Sequence, residues 1–458
     1  MNKAMPWQTS PDTKVDRRLP FRNQLLVFSF VAFFVMVLLT PALTFSGTSE
    51  AGEGSVLRQL VYLVTLVLLM AAVRPISDPA RLLVIPWPIV LALAWCALSL
   101  LWSVDVAVGA RRLVLTVAVM WSVFLAVRYI PYEQTVLLVR AMLIATLIAS
   151  VVAVYAFPEF GIHQSDEEVD MKLVGDWRGI IMNKNIMGAV CALTVLFFLF
   201  GGGKMPLWIR WPTIVAACVF LFFTQSKTSG IMLVGSVFIG WLYRAFPSRY
   251  RSVAVVLLFT LFTAAVVFLA IFDWRSDTLS TYFSDPTAFT GRMAIWTTLL
   301  RYAADSNYWG AGFGSFWFTA DSPIFRYAAN WVTRVATGHS GYIDLLITIG
   351  PVGVALVVFA VLIWPVQRLL RLPREDASEG ALPMAILFFG AGHNGTETSM
   401  FDRDMLMNVF MLLAIALIVR ISVARESRST RRTLSRRRSL ASADSGADEH
   451  EGLLEHLR

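Results

Sequence analysis

A histidine stands where a long polar segment of this chain gives way to an apolar run. His339 follows Gly338 and precedes Ser340-Gly341-Tyr342. A neutral imidazole accepts a proton near physiological pH, so His339 is a candidate general base. The alternative is a histidine that only begins a helix, since Asp344 lies too far along that helix to be a sure partner.

Two cations and an amide lie just before another apolar run. Arg178, Lys184 and Asn185 all fall within the segment Gly175–Gly188. The free N–H groups at a helix N-terminus favour an anion, and an arginine fork suits phosphate oxygens. The segment therefore predicts a phosphate-binding site, and an ordinary capped helix start is the alternative.

Lys227 and Arg292 are further candidate phosphate ligands. Lys227 lies in the short turn Thr224–Gly230, where it either contacts phosphate or extends its ammonium group to the membrane surface. Arg292 falls in the first turn of a predicted amphipathic helix that reaches about Tyr302. A cation is unfavourable at that end of a helix, so it needs an anion, either a substrate phosphate or a nearby aspartate.

The segment 393–404 adds carboxylates near the last apolar run. Either Glu397 or Asp402 is placed to act as a base or to orient an arginine such as Arg403. Arg111 and Arg112 stand at the start of an earlier run. The sequence leaves the choice of base open among His339, Glu397 and Asp402.

These residues lie between segments that are long and apolar enough to cross a bilayer. The chain has 458 residues, of which 57% are hydrophobic and 15% charged, which excludes a disordered chain and a soluble domain. Apolar runs of about 17 to 25 residues predict an all-α polytopic membrane protein. The twelve predicted spans lie near residues 24–44, 56–73, 82–101, 112–128, 134–155, 186–201, 208–223, 230–244, 252–272, 340–364, 381–396 and 404–422.

Charge alternates between the connections of these spans. Arginine and lysine dominate one set and acidic residues the other, so the positive-inside rule places both termini in the cytoplasm. In a bacterium the acidic set then faces the periplasm from the inner membrane. The predicted organisation is a cytoplasmic segment 1–23, a membrane domain 24–422 and a disordered cytoplasmic tail 423–458. A long periplasmic loop, 273–338, joins the ninth and tenth spans.

Glycines and cysteines in the chain do not predict a cofactor site. Gly310-Ala-Gly312-Phe-Gly314 lacks the spacing and the strand–helix unit of a dinucleotide fingerprint, so a tightly packed loop is expected. The three cysteines all lie in apolar runs without paired spacing, which predicts neither disulfide nor metal. The net charge of +8 sits largely in the termini and alternate loops, which argues against nucleic acid.

Taken in order, these motifs resemble the O-antigen ligase / Wzy-type polymerase superfamily, and more narrowly its exopolysaccharide-polymerase branch. The resemblance covers roughly residues 90–420. The matching elements are Trp102-Ser-Val-Asp105 with Arg111-Arg112, Trp177-Arg178-Gly179, Asn183-Lys184-Asn185 with Gly188, Ser226-Lys227-Thr-Ser-Gly230, Gly291-Arg292 with Trp296, Gly310-Ala-Gly312, and His339-Ser-Gly-Tyr342 with Gly350 and Gly353.

The resemblance implies a GT-C-like, inverting membrane glycosyltransferase that needs no metal or other cofactor. It would take a glycan from undecaprenyl pyrophosphate at the periplasmic face and pass it to an acceptor hydroxyl. Arg178 and Arg292 would grip the pyrophosphate and His339 would activate the acceptor. Family members often carry arginine where this chain has Lys227, which keeps the charge but loses the bidentate fork. The other expected substrate-binding residues are Lys184, Asn185, Arg111, Arg112, Glu397, Asp402 and Arg403.

Three functions are compatible with these features. A polymerase would extend an exopolysaccharide or O-antigen, and a ligase would transfer the finished glycan to lipid A core or another acceptor. A lipid-linked oligosaccharide transporter is the third, although transporters place charges near mid-membrane, whereas here they gather at the outward edge. The expected partners are the lipid-linked donor, a glycan or lipid acceptor, the bilayer, and a chain-length regulator or export protein.

Overall fold

The computed structural model describes residues 20–44, 56–73, 78–164, 173–181, 183–203, 205–247, 249–253, 292–306, 308–319, 321–328, 332–333 and 335–425. Over these ranges the protein is helical. In the same ranges β pairing is limited to an isolated bridge between Ile162 and Trp177.

The longer helices follow the apolar runs of the sequence. In chain order they are α1 (Pro20–Thr44), α2 (Val56–Val73), α3 (Trp87–Ser99), α4 (Val106–Tyr129), α5 (Tyr132–Ala156), α6 (Lys184–Phe200), α7 (Leu207–Phe223), α8 (Lys227–Ala245), α9 (Arg292–Asp305), α10 (Gly341–Leu370), α11 (Ala377–His393) and α12 (Leu406–Arg425).

Five stretches in these helices are long and apolar enough to cross a membrane by length and composition. They are Arg22–Leu39, Val106–Tyr129, Tyr132–Ala156, Gly341–Leu370 and Leu406–Arg425. The chain is therefore a multi-pass α-helical membrane protein. The predicted ninth span, 252–272, lies outside the described residues beyond position 253, as does the loop up to residue 291. The count of twelve spans and the full extent of that loop stay predictions.

The helix boundaries differ from the predicted ones where prolines and caps intervene. The third segment was expected from residue 82, but α3 begins at Trp87, because Pro79 starts a separate 3₁₀ turn and Pro86 precedes the helix. At the C-terminal side α12 continues to Arg425, beyond the predicted start of the tail at 423. Residues 426–458 lie outside the described part of the chain.

The first turns of α6, α8 and α10 all contact the turn between α11 and α12, so these helix starts lie at one end of the protein. We call the end that carries the first residues of α6, α8 and α10 the site end. At the opposite end, arginine side chains donate hydrogen bonds to carbonyls in the last turns of helices or just after them. Arg22 donates to the end of α2, Arg420 to the end of α4, Arg140 to the end of α6 and Arg251 to the end of α8.

Arg140 illustrates what such a cap contributes. Its guanidinium is 6% exposed and donates to Phe197 O at 3.0 and 2.8 Å and to Gly202 O at 3.0 Å. We expect Arg140→Leu to lower the free energy of unfolding by about 3 kcal/mol, because buried carbonyls lose a charged donor. Thermal unfolding of the purified protein in detergent measures this, with exposed Arg244→Leu as the control. An equal loss in both variants would contradict the prediction.

Helix α10 is interrupted in its middle. Gly350 has φ of 67° and ψ of 179°, and Pro351 follows, so the helical hydrogen-bond ladder is broken. The carbonyls freed by this break are satisfied from outside the helix. Ala311 N donates to Ile347 O at 2.8 Å, Gly312 N to Thr348 O at 2.8 Å, and Trp95 Nε1 to Ile349 O at 3.0 Å.

The segment Tyr308–Trp317, which we call the glycine strap, is shaped to reach this break. Gly310, Gly312 and Gly314 have φ between 68° and 88°. A Cβ on Gly310 would lie 2.6 Å from the backbone of Thr348, and one on Gly312 would lie 2.6 Å from Ser103. Backbone packing accounts for these glycines, because only glycine combines positive φ with such close approach.

We expect Gly310→Ala to destabilise the protein by more than about 2 kcal/mol, since it adds left-handed strain to a backbone clash. Gly230→Ala is the matched control, because a Cβ at this helical position meets nothing within 4 Å. Alanine there should stabilise α8 by up to about 1 kcal/mol. Melting temperatures of the two variants should therefore move in opposite directions. A fall of similar size in both would contradict the packing argument.

Candidate active site

A glutamate at the site end collects side chains from three other parts of the chain. Glu397 Oε1 accepts from Arg292 Nη2 at 2.5 Å and from Asn185 Nδ2 at 2.8 Å. Its other oxygen, Oε2, lies 3.8 Å from His339 Nδ1. We call these four residues the Glu397 cluster. It joins the start of α6, the start of α9, the residue before Ser340 and the turn between α11 and α12.

The elements around the cluster fix its members. Asn183 caps α6 by accepting from the backbone N–H groups of Asn185 and Ile186, which holds Asn185 in the first turn. The start of α8 is tied to the same place, since the hydroxyls of Thr228 and Thr396 lie 2.8 Å apart. The turn that carries Glu397 is thereby attached to both helices.

Arg292 has the anionic partner that its position in the first turn of α9 requires. The sequence predicted either a phosphate or an aspartate in that role, and the structure supplies a glutamate from 105 residues away. Both side chains are largely buried, with 14% and 15% exposed. An ion pair that is partly desolvated in this way depends on both partners, so the two residues are expected to act as a unit.

The charge state of Glu397 follows from its neighbours. Burial alone would raise the pKa of this carboxyl, but His339 and the positive charge of Arg292 outweigh that effect and leave the pKa below its ordinary value. Glu397 is therefore ionised at neutral pH.

His339 occupies a strained backbone position. Its φ is 50°, which few residues other than glycine adopt, although histidine is enriched there along with asparagine and aspartate. Trp296 Nε1 donates to Gly338 O at 2.8 Å, and Gly341 N donates to Asn394 O and Glu397 O at 2.9 and 3.1 Å. The surrounding structure thus holds the strained conformation from both sides, as is common at functional sites.

Arg178 and Lys184, both predicted to bind phosphate, make contacts within the protein. The buried guanidinium of Arg178 donates to Phe160 O at 3.0 Å and to Glu159 O at 3.1 Å. Lys184 Nζ lies 2.5 Å from Asp176 Oδ2. Both cations hold the connection between α5 and α6, and their predicted roles toward substrate stay predictions.

Lys227 is differently placed. It is the first residue of α8 and exposed, and it forms no hydrogen bond or ion pair with any residue that the structure describes. Its neighbour Thr228 is tied to Thr396, one residue before Glu397. Lys227 is therefore a cation available to an anionic ligand beside the Glu397 cluster.

A second charged group follows the same turn. Arg403 pairs with Asp402 through two nitrogens, at 2.7 and 3.3 Å, and Arg58 lies 3.6 Å from Asp404. Burial would raise the pKa of Asp402, but the charge of Arg403 outweighs it and the pKa is lowered. Burial would lower the pKa of Arg403, but Asp402 raises it above its ordinary value. A carboxylate so firmly ionised and paired is a poor proton acceptor.

The two adjacent arginines at the start of α4 have different surroundings. Arg112 Nη1 donates to Trp317 O at 2.8 Å and also to Gly314 O, so its guanidinium holds the glycine strap. Arg111 is exposed on the same helix. The structure thus assigns Arg112 to the support of the strap rather than to the Glu397 cluster.

Sequence reasoning missed several residues around His339. Asp344 was judged too far along the helix to be a sure partner, yet its carboxylate accepts from Gly338 N, directly before the histidine. His393 received no role from the sequence, but it is buried against Phe389 and neither of its ring nitrogens has a hydrogen-bond partner in the described structure. Polar residues inside apolar runs were the available signal.

No group of three or more side chains suited to share a metal ion occurs among the described residues.

Residues 212–358 match the family model described as O-antigen ligase. The matched segment contains Lys227, Arg292 and His339, whereas Asn185 and Glu397 lie outside it. No curated protein matches the chain.

Proposed function

We infer that the chain belongs to the O-antigen ligase / Wzy-type superfamily, because residues 212–358 match its family model, and this match indicates an O-antigen ligase or polymerase-like function. On this premise we propose that the protein polymerises oligosaccharide repeat units carried on undecaprenyl pyrophosphate. The product would be an exopolysaccharide or an O-antigen. The reaction would take place at the periplasmic face of the bacterial inner membrane, with both termini in the cytoplasm.

The observation that carries the proposal is the Glu397 cluster. Of the three candidate bases, Glu397 and Asp402 are both paired with arginines and have lowered pKa values. His339 is 36% exposed and has a carboxylate 3.8 Å behind one ring nitrogen. An accessible imidazole beside a buried carboxylate is an arrangement that suits general-base catalysis.

The reaction follows from these roles. His339 takes the proton of the acceptor hydroxyl as its oxygen attacks the anomeric carbon of the donor. The bond between that carbon and the pyrophosphate oxygen breaks, and its electron pair leaves with the pyrophosphate. One displacement inverts the anomeric centre. Glu397 stabilises the imidazolium that forms, as the buried carboxylate does in hydrolase triads.

Cations near the cluster would stabilise the leaving group. Charge grows on the pyrophosphate as the glycosidic bond breaks, so fixed positive groups lower the barrier. Lys227 is exposed and unpaired among the described residues, and Arg292 shares Glu397 Oε1 with Asn185. The N-terminus of α8, which has no side-chain cap, adds free N–H groups at the same end. Arg178 and Lys184 would act on substrate only by sharing donors now used within the protein.

Two alternatives remain in the proposal. A ligase would use the same donor site and differ in its acceptor. A transporter would need charges along the path through the membrane, whereas the described ion pairs Arg292–Glu397, Lys184–Asp176 and Arg403–Asp402 all lie at the site end. This placement favours chemistry at one surface over passage through the bundle.

The test uses purified protein and a synthetic undecaprenyl-pyrophosphate oligosaccharide, without nucleotide or added metal. Lipid-linked products are followed by mass spectrometry. A ladder of longer lipid-linked glycans supports the polymerase, and glycan found only on added lipid A core supports the ligase instead. No transfer to either acceptor, together with flipping of the lipid in liposomes, would replace the enzyme with the transporter. The anomeric configuration of the new linkage tests inversion.

A further inference from the structure

We propose that Asp344 is a positioning residue that holds His339 in place against Glu397 and links it to the glycine strap. The inference rests on the proposed role of His339 as the base. Asp344 is 7% exposed and lies in the first turn of α10. It falls inside a segment apolar enough to cross a membrane, where a buried carboxylate is costly unless its oxygens are fully satisfied.

The carboxylate of Asp344 accepts hydrogen bonds from three separate segments. Gly338 N lies 3.1 Å from both oxygens, and Trp317 Nε1 donates to Oδ1 at 2.9 Å. The hydroxyl of Thr398 donates to Oδ2. These donors belong to the chain before His339, the end of the glycine strap and the turn after Glu397. A single buried group therefore joins three of the segments that surround the histidine.

His339 is attached to Asp344 from both sides. Gly338, before it, donates to the carboxylate directly. Ser340, after it, donates its N–H to Thr398 Oγ1 at 3.1 Å, and Thr398 in turn donates to Asp344. A residue with φ of 50° keeps that conformation only where its neighbours are fixed. Asp344 supplies this constraint, and Thr398 places the Glu397 turn in the same network.

The network also reaches the break in α10. Trp317 ends the glycine strap, and its carbonyl accepts from Arg112 at 2.8 Å. The other end of the strap donates to the carbonyls freed at Gly350. The position of His339 thus depends on a strap that lies against the middle of a broken helix.

The chemistry of the site calls for a carboxylate. All of its contacts are donors, and an ionised carboxylate accepts hydrogen bonds without donating any. In Asp344→Asn the amide oxygen can still face Trp317 and Gly338, and the NH₂ group then faces Thr398. The Thr398 hydroxyl can turn to accept from it but loses its donation. The variant keeps the size of the side chain and loosens the link between His339 and the Glu397 turn.

The experiment compares Asp344→Asn and Thr398→Val with Asp321→Asn, an exposed aspartate in the same loop region. The first readout is the rate at which diethyl pyrocarbonate modifies His339, resolved from the other histidines by peptide mass mapping. We expect that rate to rise at least threefold in the first two variants and to stay unchanged in the control. This readout does not need catalytic turnover.

The second readout is the rate of glycan transfer. A displacement of about 1 Å in a catalytic group can cost about 10²-fold, so kcat should fall between 10- and 100-fold in Asp344→Asn, with KM for the lipid-linked donor within twofold. In the double variant Asp344→Asn/His339→Asn the rate should fall no further than in His339→Asn alone.

Two outcomes separate the inference from its premise. Unchanged reactivity of His339 in both network variants, with only a lower melting temperature, would reduce Asp344 to a structural role and overturn the inference. Absence of glycan transfer by the wild-type protein would overturn the proposed function. The modification rate of His339 would still decide whether Asp344 positions that side chain.

Discussion

Replacement of His339 by asparagine is expected to lower the rate of glycan transfer by about 10²- to 10⁴-fold, the usual contribution of general acid–base catalysis. The imidazole is the accessible proton acceptor of the Glu397 cluster, and asparagine has no basic nitrogen. Initial rates with a synthetic lipid-linked oligosaccharide measure the loss. The KM for the donor should change little, because His339 faces the acceptor in the proposed reaction.

Asparagine is the informative replacement because of the backbone. With φ at 50°, position 339 favours residues that tolerate the left-handed region, and asparagine is among the best of them. His339→Asn should therefore keep the wild-type melting temperature, whereas His339→Ala should lose about 1 kcal/mol to strain. A transfer rate within threefold of wild type in His339→Asn would remove the histidine from the chemistry.

The positions of the helices could be predicted from the apolar runs, but the residues at which they begin and end could be predicted only in part. Helix α5, Tyr132–Ala156, lies within two residues of the predicted segment 134–155 at both ends. Helix α8 begins at Lys227, three residues before its predicted start at 230, because Ser226 and Lys227 belong to the helix terminus rather than to an open turn. Hydropathy indicates the length of the lipid-facing part of a helix, so it does not detect a polar first turn.

The site was predicted as a set of residue types, without its pairings. Arg292 was expected to need an anion because its position in a first turn is unfavourable for a cation. Nothing local identifies Glu397 as that anion, since the two residues are 105 positions apart and Asn185 lies 212 positions from the same carboxylate. Such contacts depend on how the helices pack, which a single sequence does not encode locally.

The break in α10 could be predicted from the sequence, but the contacts that follow from it could not. Gly350-Pro351 predicts an interrupted helix. This dipeptide does not indicate which segment donates hydrogen bonds to the freed carbonyls. The structure shows that the strap glycines serve this purpose, and that Asp344, one turn into the same helix, fixes the end of that strap through Trp317.

Replacement of Glu397 by glutamine is the second variant with a large expected effect. It leaves Arg292 without a counter-charge, and the loss of one partner from a buried ion pair costs about 3 kcal/mol at the lower end of the usual range. That end applies because both side chains keep about 15% exposure. Transfer should fall by about 10²-fold, less than for the carboxylate of a hydrolase triad, because Oε2 is 3.8 Å from the imidazole.

The dependence of stability on acid pH provides an independent test of the role of the Glu397 carboxylate. The folded-state pKa of Glu397 lies below its ordinary value of about 4.3, so its ionised form stabilises the fold fully above that pH. This contribution is lost as the pH falls through the lowered pKa. The melting-temperature difference between wild type and Glu397→Gln should therefore be constant from pH 7 to about 5 and shrink below about 4. Glu375→Gln, at an exposed position, is the control variant. A gap that persists unchanged to pH 3 would mean that the Glu397 charge does not stabilise the cluster, and that glutamine fails there only through its shape.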